Sequence, residues 1–147
     1  MIISFRTATI LAGFALLPVP AFAATQTLHL VERATTDKTT HIGPKPDNLA
    51  DILTFANDIF DAANKHHVGT DQGYCVRVVV GTSFECFWTL KLSDGQITVE
   101  GPFYDSADSV LAVTGGTGAY AGVSGEMHLH ARDAKGSAYD FTYVIGK

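Results

Sequence analysis

From residue 74 to residue 145 the sequence is a series of short β-type runs, each broken after about ten residues by Gly, Asp, Ser or Asn. Residues 74–80 and 84–92 flank Gly81-Thr82-Ser83 as a hairpin with its tip centred on Thr82, and 96–101 follow the Ser93-Asp94-Gly95 turn. Residues 110–114 are apolar, 125–131 alternate, and 138–145 put Tyr139, Phe141 and Tyr143 on one face. Upstream, 25–33 alternate as well, and 35–48, with Pro44 and Pro46, read as a loop. The stretch 52–63 is open: Ile52, Phe55, Ile59 and Ala63 suit a helix, whereas Leu53, Phe55 and Asn57 would share one strand face. Counted as a strand, it brings the total to about eight, the number at which a closed sheet has room for a small ligand. Closure also removes exposed edges, so the expected fold is an all-β, eight-stranded antiparallel barrel, with an open β-sandwich as the competing architecture.

Residues 1–23 stand apart from this pattern. Arg6, the apolar run 8–17, Pro18, Pro20 and Ala21-Phe22-Ala23 have the order of a charged n-region, an h-region and an A-x-A cleavage site. A run this short, closed by two prolines, is a poor bilayer span, so a secretory signal peptide is expected and the barrel domain is residues 24–147. The expected location is secreted or periplasmic, with no membrane span once the signal is removed. Loss of Arg6 takes the formal net charge from −5 to −6. That acidity disfavours nucleic acid and anionic membrane surfaces, which need positive charge to displace counterions, and points to a small molecule as the partner.

Cys75 and Cys86 are the two cysteines, and in an oxidising compartment a disulfide between them is expected. With the hairpin tip at Thr82, however, Cys86 would face Val78 and Cys75 would face Thr89, so a direct bridge requires a shifted register or a bulge. Thr114-Gly115-Gly116-Thr117-Gly118 lacks the Lys-Ser/Thr of a phosphate-binding loop, and Gly122 and Gly125 interrupt any helix after it. These glycines are expected to reverse the chain between strands. His128 and His130 form H-x-H on one strand face, but a third metal ligand is not announced, so a solvated outer face is expected and no metal site.

The order GQITVEGPF at 95–103, then SVLAVTGGTGAYAGVSGE at 109–126, resembles the allene oxide cyclase barrels and, more distantly, the plant dirigent proteins. Asp51 to Asn57 and Val68 to Cys75 fit the same pattern, so the likeness spans 51–146. The resemblance implies an eight-stranded barrel with an apolar pocket, commonly a trimer, and assigns 52–63 to a strand. It also implies a cofactor-free cyclase or isomerase acting on a hydrophobic, unstable substrate such as a fatty-acid-derived epoxide. A non-catalytic or dirigent-like barrel that carries or orients a hydrophobic metabolite is the alternative. In such a reaction the epoxide opens to an oxyanion joined to a delocalised cation. An apolar wall excludes water and shapes the chain, while a carboxylate and hydrogen-bond donors stabilise the separated charges.

By the resemblance, Phe55 faces the cation, Asn57 is the pocket amide, Phe84 and Phe103 are wall aromatics, and Cys75 is a thiol that assists isomerisation. Alternation places Phe84, Cys86, Trp88 and Leu90 on one face, which makes Trp88 a further wall residue. The first-strand carboxylate is assigned to Glu32, which shares a face with Leu28 and Leu30; in the competing register His29 takes its place. Catalytic roles are thus expected for Glu32, Asn57 and Cys75, and substrate contact for Phe55, Phe84, Trp88 and Phe103. Arg77, on the face of Cys75, is a candidate partner for Glu32 or a ligand carboxylate. The Ser-Pro that helps hold a catalytic water in the family has no counterpart, and the arginine after the glycines in dirigent proteins is replaced by Ser124.

Overall fold

A computed structural model describes residues 24–147, so the expected signal peptide lies outside the described residues. The strands are β1 Gln26–Arg33, β2 Lys38–Thr40, β3 Ile52–Phe55, β4 Asp58–Asp61, β5 His67–Val79, β6 Ser83–Leu92, β7 Gly95–Tyr104, β8 Ser109–Gly118, β9 Ser124–Ala131 and β10 Ala138–Gly146. Both β3 and β4 pair antiparallel with β5, so they form one stave interrupted at Ala56 and Asn57. The order β5-β4-β1-β10-β9-β8-β7-β6 closes through β5–β6 pairing into an eight-stranded antiparallel barrel, and short β2 hangs on the edge of β3. The segment 52–63 is therefore strand in character rather than helix. Among the described residues no helix is long and apolar enough to cross a membrane.

Alternation along the staves fills the interior. Trp88 and Leu90, Ile97 and Val99, Leu111 and Val113, Met127 and Leu129, and Phe141, Tyr143 and Ile145 all point inward and are buried. Each large side chain removed from water stabilises the fold by about 1.5–3 kcal/mol. The outer face of β1 carries His29, exposed against Thr142, which settles the first-strand register in favour of Glu32 as the inward residue. His128 and His130 also face outward, against Glu126 and Asp108.

The register bears out the expected disulfide, with the bulge it required, and corrects two expectations, the hairpin tip at Thr82 and the role of the glycines. The β5–β6 tip lies on Val80-Gly81-Thr82, with Gly81 at φ 69° and a bulge between Arg77 and Val79, so Cys75 stands directly opposite Cys86 and the two form a disulfide. The bulge consumes the extra residues that kept them apart in an unbroken hairpin. The second correction concerns the glycines. Gly115–Gly118 are the paired end of β8, opposite β7, and the reversal is made by residues 119–123. There Tyr120 folds back into the core and its hydroxyl lies 3.4 Å from Asp94 Oδ2. A methyl at Gly116 would lie 2.5 Å from the Tyr120 carbonyl and 2.6 Å from that of Gln96.

The loop preceding β3 is fastened from within. Asp51 is fully buried and accepts from His41, from the Ile42 and Asn48 amides and from the Asn48 side chain. Burial by itself would raise this carboxyl, but the donors outweigh burial and hold it below the usual carboxylate range.

Gly116→Ala is expected to lower stability by about 2 kcal/mol or more, since backbone atoms crowd the new methyl. Gly122→Ala, at φ 80° with open space around it, is expected to cost about 1 kcal/mol through backbone strain alone. Urea denaturation of the two variants checks the ranking.

Candidate active site

The barrel is hollow at the end where β1, β5, β7 and β9 finish. An inner cavity of about 80 Å³ is lined by Phe55, Trp88, Phe103, Tyr139 and Phe141, with Leu53, Leu129, Glu32, Asp37 and the Cys75–Cys86 disulfide completing it. Phe103, Leu129 and Tyr139 also line an outer vestibule of about 490 Å³, walled by the 105–108 and 133–136 turns. Farther along the same strands Tyr143, Met127 and Leu90 are completely buried and do not line the cavity. The expected apolar sleeve is thus a blind chamber with one mouth. Its aromatic wall has two groups: Trp88 stacks on Phe141 at 5.9 Å and meets the edge of Phe55 at 5.9 Å, and Phe103 meets Tyr139 at 5.9 Å.

Glu32 is the acid of this chamber and is 5% exposed. Alternation with Phe55 and Ile59 points Asn57 inward, where its Nδ2 donates to Glu32 Oε1 at 2.8 Å and to Asp37 Oδ1 at 2.7 Å. Asn57 Oδ1 in turn accepts from the Thr35 and Thr36 amides, at 3.0 Å each, and from the Thr36 hydroxyl at 2.9 Å. Every polar group of the amide is used, so Asn57 fixes the loop after β1 and the orientation of Glu32 together. Asn57 does not itself line the cavity; it is a positioning residue.

A second carboxyl lies behind the first. Asp71 is 1% exposed on β5, where its Oδ1 accepts from the Asn57 amide at 3.2 Å, its Oδ2 is buried without a partner, and its carboxyl lies close enough to Glu32 for the two to titrate together. Burial, then the neighbouring Asp71 charge, pushes Glu32 well above the usual carboxylate range. Burial likewise pushes Asp71 up to about 7. Two carboxyls in a low-dielectric interior cannot both ionise cheaply, so the pair retains a proton at neutral pH. That proton belongs to the pair, so Glu32 is not the free carboxylate that the resemblance implied.

The other sequence-derived residues divide. Phe55, Trp88 and Phe103 line the chamber as expected. Cys75 lines it too, but its sulfur is bonded to Cys86, so the expected thiol chemistry is corrected: Cys75 is wall rather than reagent. Phe84 is buried yet stands outside the cavity lining, with the Arg77 guanidinium 3.6 Å above its ring. Arg77 reaches neither Glu32 nor the cavity. It makes hydrogen bonds of 2.8 Å to both oxygens of Asp105 and an ion pair, less well aligned, with Asp47 at 2.8 Å. Asp37, Asp71, Tyr139 and Phe141 are the participants that the sequence reading did not assign to the site. The face shared by Tyr139, Phe141 and Tyr143 was the available signal for two of them. Asp71 lies upstream of residue 74, where the β-type pattern of this strand starts in the sequence.

A model described as allene oxide cyclase matches residues 24–133. The chain belongs to the allene oxide cyclase family. The fold of this family member is also similar to that of a pyocyanin demethylase, over 81% of this chain and 99% of that one, at 22% identity and a TM-score of 0.70. A Diels-Alderase from Streptomyces koyangensis is similar over 86% of this chain and 70% of its own, at 15% identity and a TM-score of 0.68. A pterocarpan synthase dirigent protein is similar over 83% and 93%, at 15% identity and a TM-score of 0.67. At such identities the likeness is one of fold.

The carboxyl pair makes stability pH-dependent with a definite sign. Its folded pKa values are raised, so its contribution is complete below the unfolded values and is lost as pH rises through about 7. Asp61, lowered to about 2 chiefly by the Lys65 amide, works oppositely and loses its contribution as pH falls toward that value. The melting temperature is expected to peak near pH 5 and to fall toward pH 8, about the span between ordinary and raised carboxyl values. Asp71→Asn should flatten the alkaline fall; an unchanged slope in that variant would contradict the shared proton. Asn57→Ala is expected to cost about 2 kcal/mol or more by stranding buried partners, measured by denaturant unfolding.

Proposed function

We propose that this allene oxide cyclase family member is a cofactor-free cyclase or isomerase acting on a hydrophobic, conjugated and unstable substrate. The observation that carries the reading is Glu32, a buried carboxyl beside Asp71 held in a fixed orientation on an aromatic-walled inner cavity. The inner cavity accommodates the reacting segment, and the vestibule is within the size range of small-ligand sites.

For an epoxide substrate the proton shared by Glu32 and Asp71 is turned by Glu32 from Asp71 toward the ring oxygen, as a hydrogen bond. As the carbon–oxygen bond breaks, the electron pair stays on oxygen, where that bond stabilises it. The delocalised cation left on carbon meets the faces of Phe55 and Trp88. One new carbon–carbon bond then forms, the oxygen becomes a carbonyl, and no atom is gained or lost. Glu32 keeps its proton, which is why no cofactor is required. The aromatic walls keep water from the cation and restrict the chain to one folded shape.

Freshly generated fatty-acid allene oxide, supplied as free acid and as methyl ester, tests this directly. One enantiomer of the cyclopentenone is expected to dominate, with less ketol than forms spontaneously. Glu32→Gln should reduce the rate about 10²-fold with little change in melting temperature. Racemic product at the spontaneous ketol ratio would reject the cyclase reading for this substrate. One observation favours a carrier instead: the disulfide leaves no thiol in the chamber. In that case Glu32→Gln would leave ligand affinity unchanged and no turnover would be seen.

A further inference from the structure

The charged groups around the chamber are of one sign. The inner cavity presents Asp37 beside the proton-sharing Glu32, and the vestibule presents Asp105, Asp108 and Asp133; His130 is the one basic side chain in either lining. His130 is already engaged, its Nδ1 2.7 Å from Asp108. Arg77, which the sequence offered as an anchor for a ligand carboxylate, is committed to Asp105 and Asp47 and covers Phe84 from outside the lining. Arg33 is likewise held elsewhere, on Asn64 and over Phe60, and Lys135 lines neither space.

Two carboxylates have no cation against them. Among the described residues neither Asp37 nor Asp133 takes part in an ion pair. Asp37 accepts from Asn57, a neutral donor, and Asp133 from the Ser137 hydroxyl and from the Lys135 and Ser137 amides. These bonds fix the oxygens and leave the charge. Tyr139, at the neck where cavity and vestibule meet, registers the result: burial first, then Asp37, Glu32 and Asp133, pushes its hydroxyl up to about 12.

An aromatic box with uncompensated carboxylates at its mouth has a definite preference. Ring faces attract cations and stack on flat conjugated systems, and the carboxylates attract positive and repel negative charge. We infer that the chamber selects flat, conjugated guests that are neutral or cationic and discriminates against guests bearing a carboxylate. This rests on the small-molecule reading of the site and narrows its substrate class: a fatty acid would enter as an ester or other neutral derivative, not as the free anion.

Trp88, the single tryptophan of the chain, lines the inner cavity and reports occupancy by fluorescence. Three probes of matched size separate charge from shape: N-methylquinolinium, quinoline and 2-naphthoate, titrated against the full mature chain at low ionic strength and again at about 0.15 M salt. N-methylquinolinium and quinoline are expected to quench saturably. 2-Naphthoate should bind at least tenfold more weakly than the cation, and salt should narrow that gap. Asp37→Asn should reduce the gap, and Asp133→Asn should reduce it independently, with circular dichroism confirming the fold of each.

Naphthoate binding as tightly as the cation would overturn the inference, as would a gap insensitive to both substitutions or failure of all three probes to quench. The cyclase reading fails separately. Racemic product in the turnover assay with the charge ranking intact would remove the reaction and leave the guest class, whereas single-enantiomer turnover of the free acid at the ester's rate would do the reverse.

Discussion

Two carboxyl groups, Glu32 and Asp71, are buried together in the barrel with no arginine or lysine among their hydrogen-bond partners. Such a pair is tolerated only if it keeps a proton and if its remaining lone pairs find donors. Asn57 meets the second condition for Glu32, because its backbone pairs with that of Asp71 in both directions and strand alternation then turns its side chain inward. Its side-chain nitrogen reaches Glu32, and its side-chain oxygen gathers the Thr35–Thr36 loop. Asp71 Oδ2 is left buried without a donor, which is where the pair's proton is needed. Pairing and alternation at Asn57 are thus the origin of the acid's orientation.

The division of the barrel into a filled end and a hollow end follows from side-chain size at successive inward positions. Tyr143, Met127 and Leu90 fill one layer, and the next layer toward the mouth leaves space between Phe141, Trp88 and the disulfide. Rigidity at the mouth comes from covalent and ionic ties. The disulfide joins β5 to β6 within the wall, and Arg77 joins the loop containing Asp47 to the turn containing Asp105. Arg77 is therefore part of the frame, and its charge is consumed in building the vestibule rather than offered to a guest.

The barrel was legible in the sequence because period-two alternation and turn residues are local signals that survive without tertiary knowledge. Phe55, Trp88 and Phe103 could be placed inside for the same reason, and the family likeness pointed to Glu32 and Asn57. What was not legible depended on register. The bulge after Arg77 shifts Cys86 opposite Cys75, and a single extra residue of that kind leaves no mark in the alternation. Asp71-Gln72-Gly73 has the composition of a turn, yet it lies within β5 because that strand continues back to His67 beneath β4. The raised Glu32 carboxyl was likewise hidden, since it follows from burial in the closed barrel and then from Asp71 on another strand. The comparisons add the family, and the fold likeness to demethylase, Diels-Alderase and dirigent proteins leaves chemistry to the site itself.

The neutral Glu32 acid is tested most directly by following its side-chain carbon, and that of Asp71, in a carbon-13 NMR pH titration of the labelled mature chain. The expected result is a coupled pair, with Glu32 unchanged through the ordinary carboxylate range of about 4 and ionisation appearing only near or above neutrality. Independent titration of both carbons near pH 4 would contradict the shared proton and, with it, the acid on which the proposed chemistry depends.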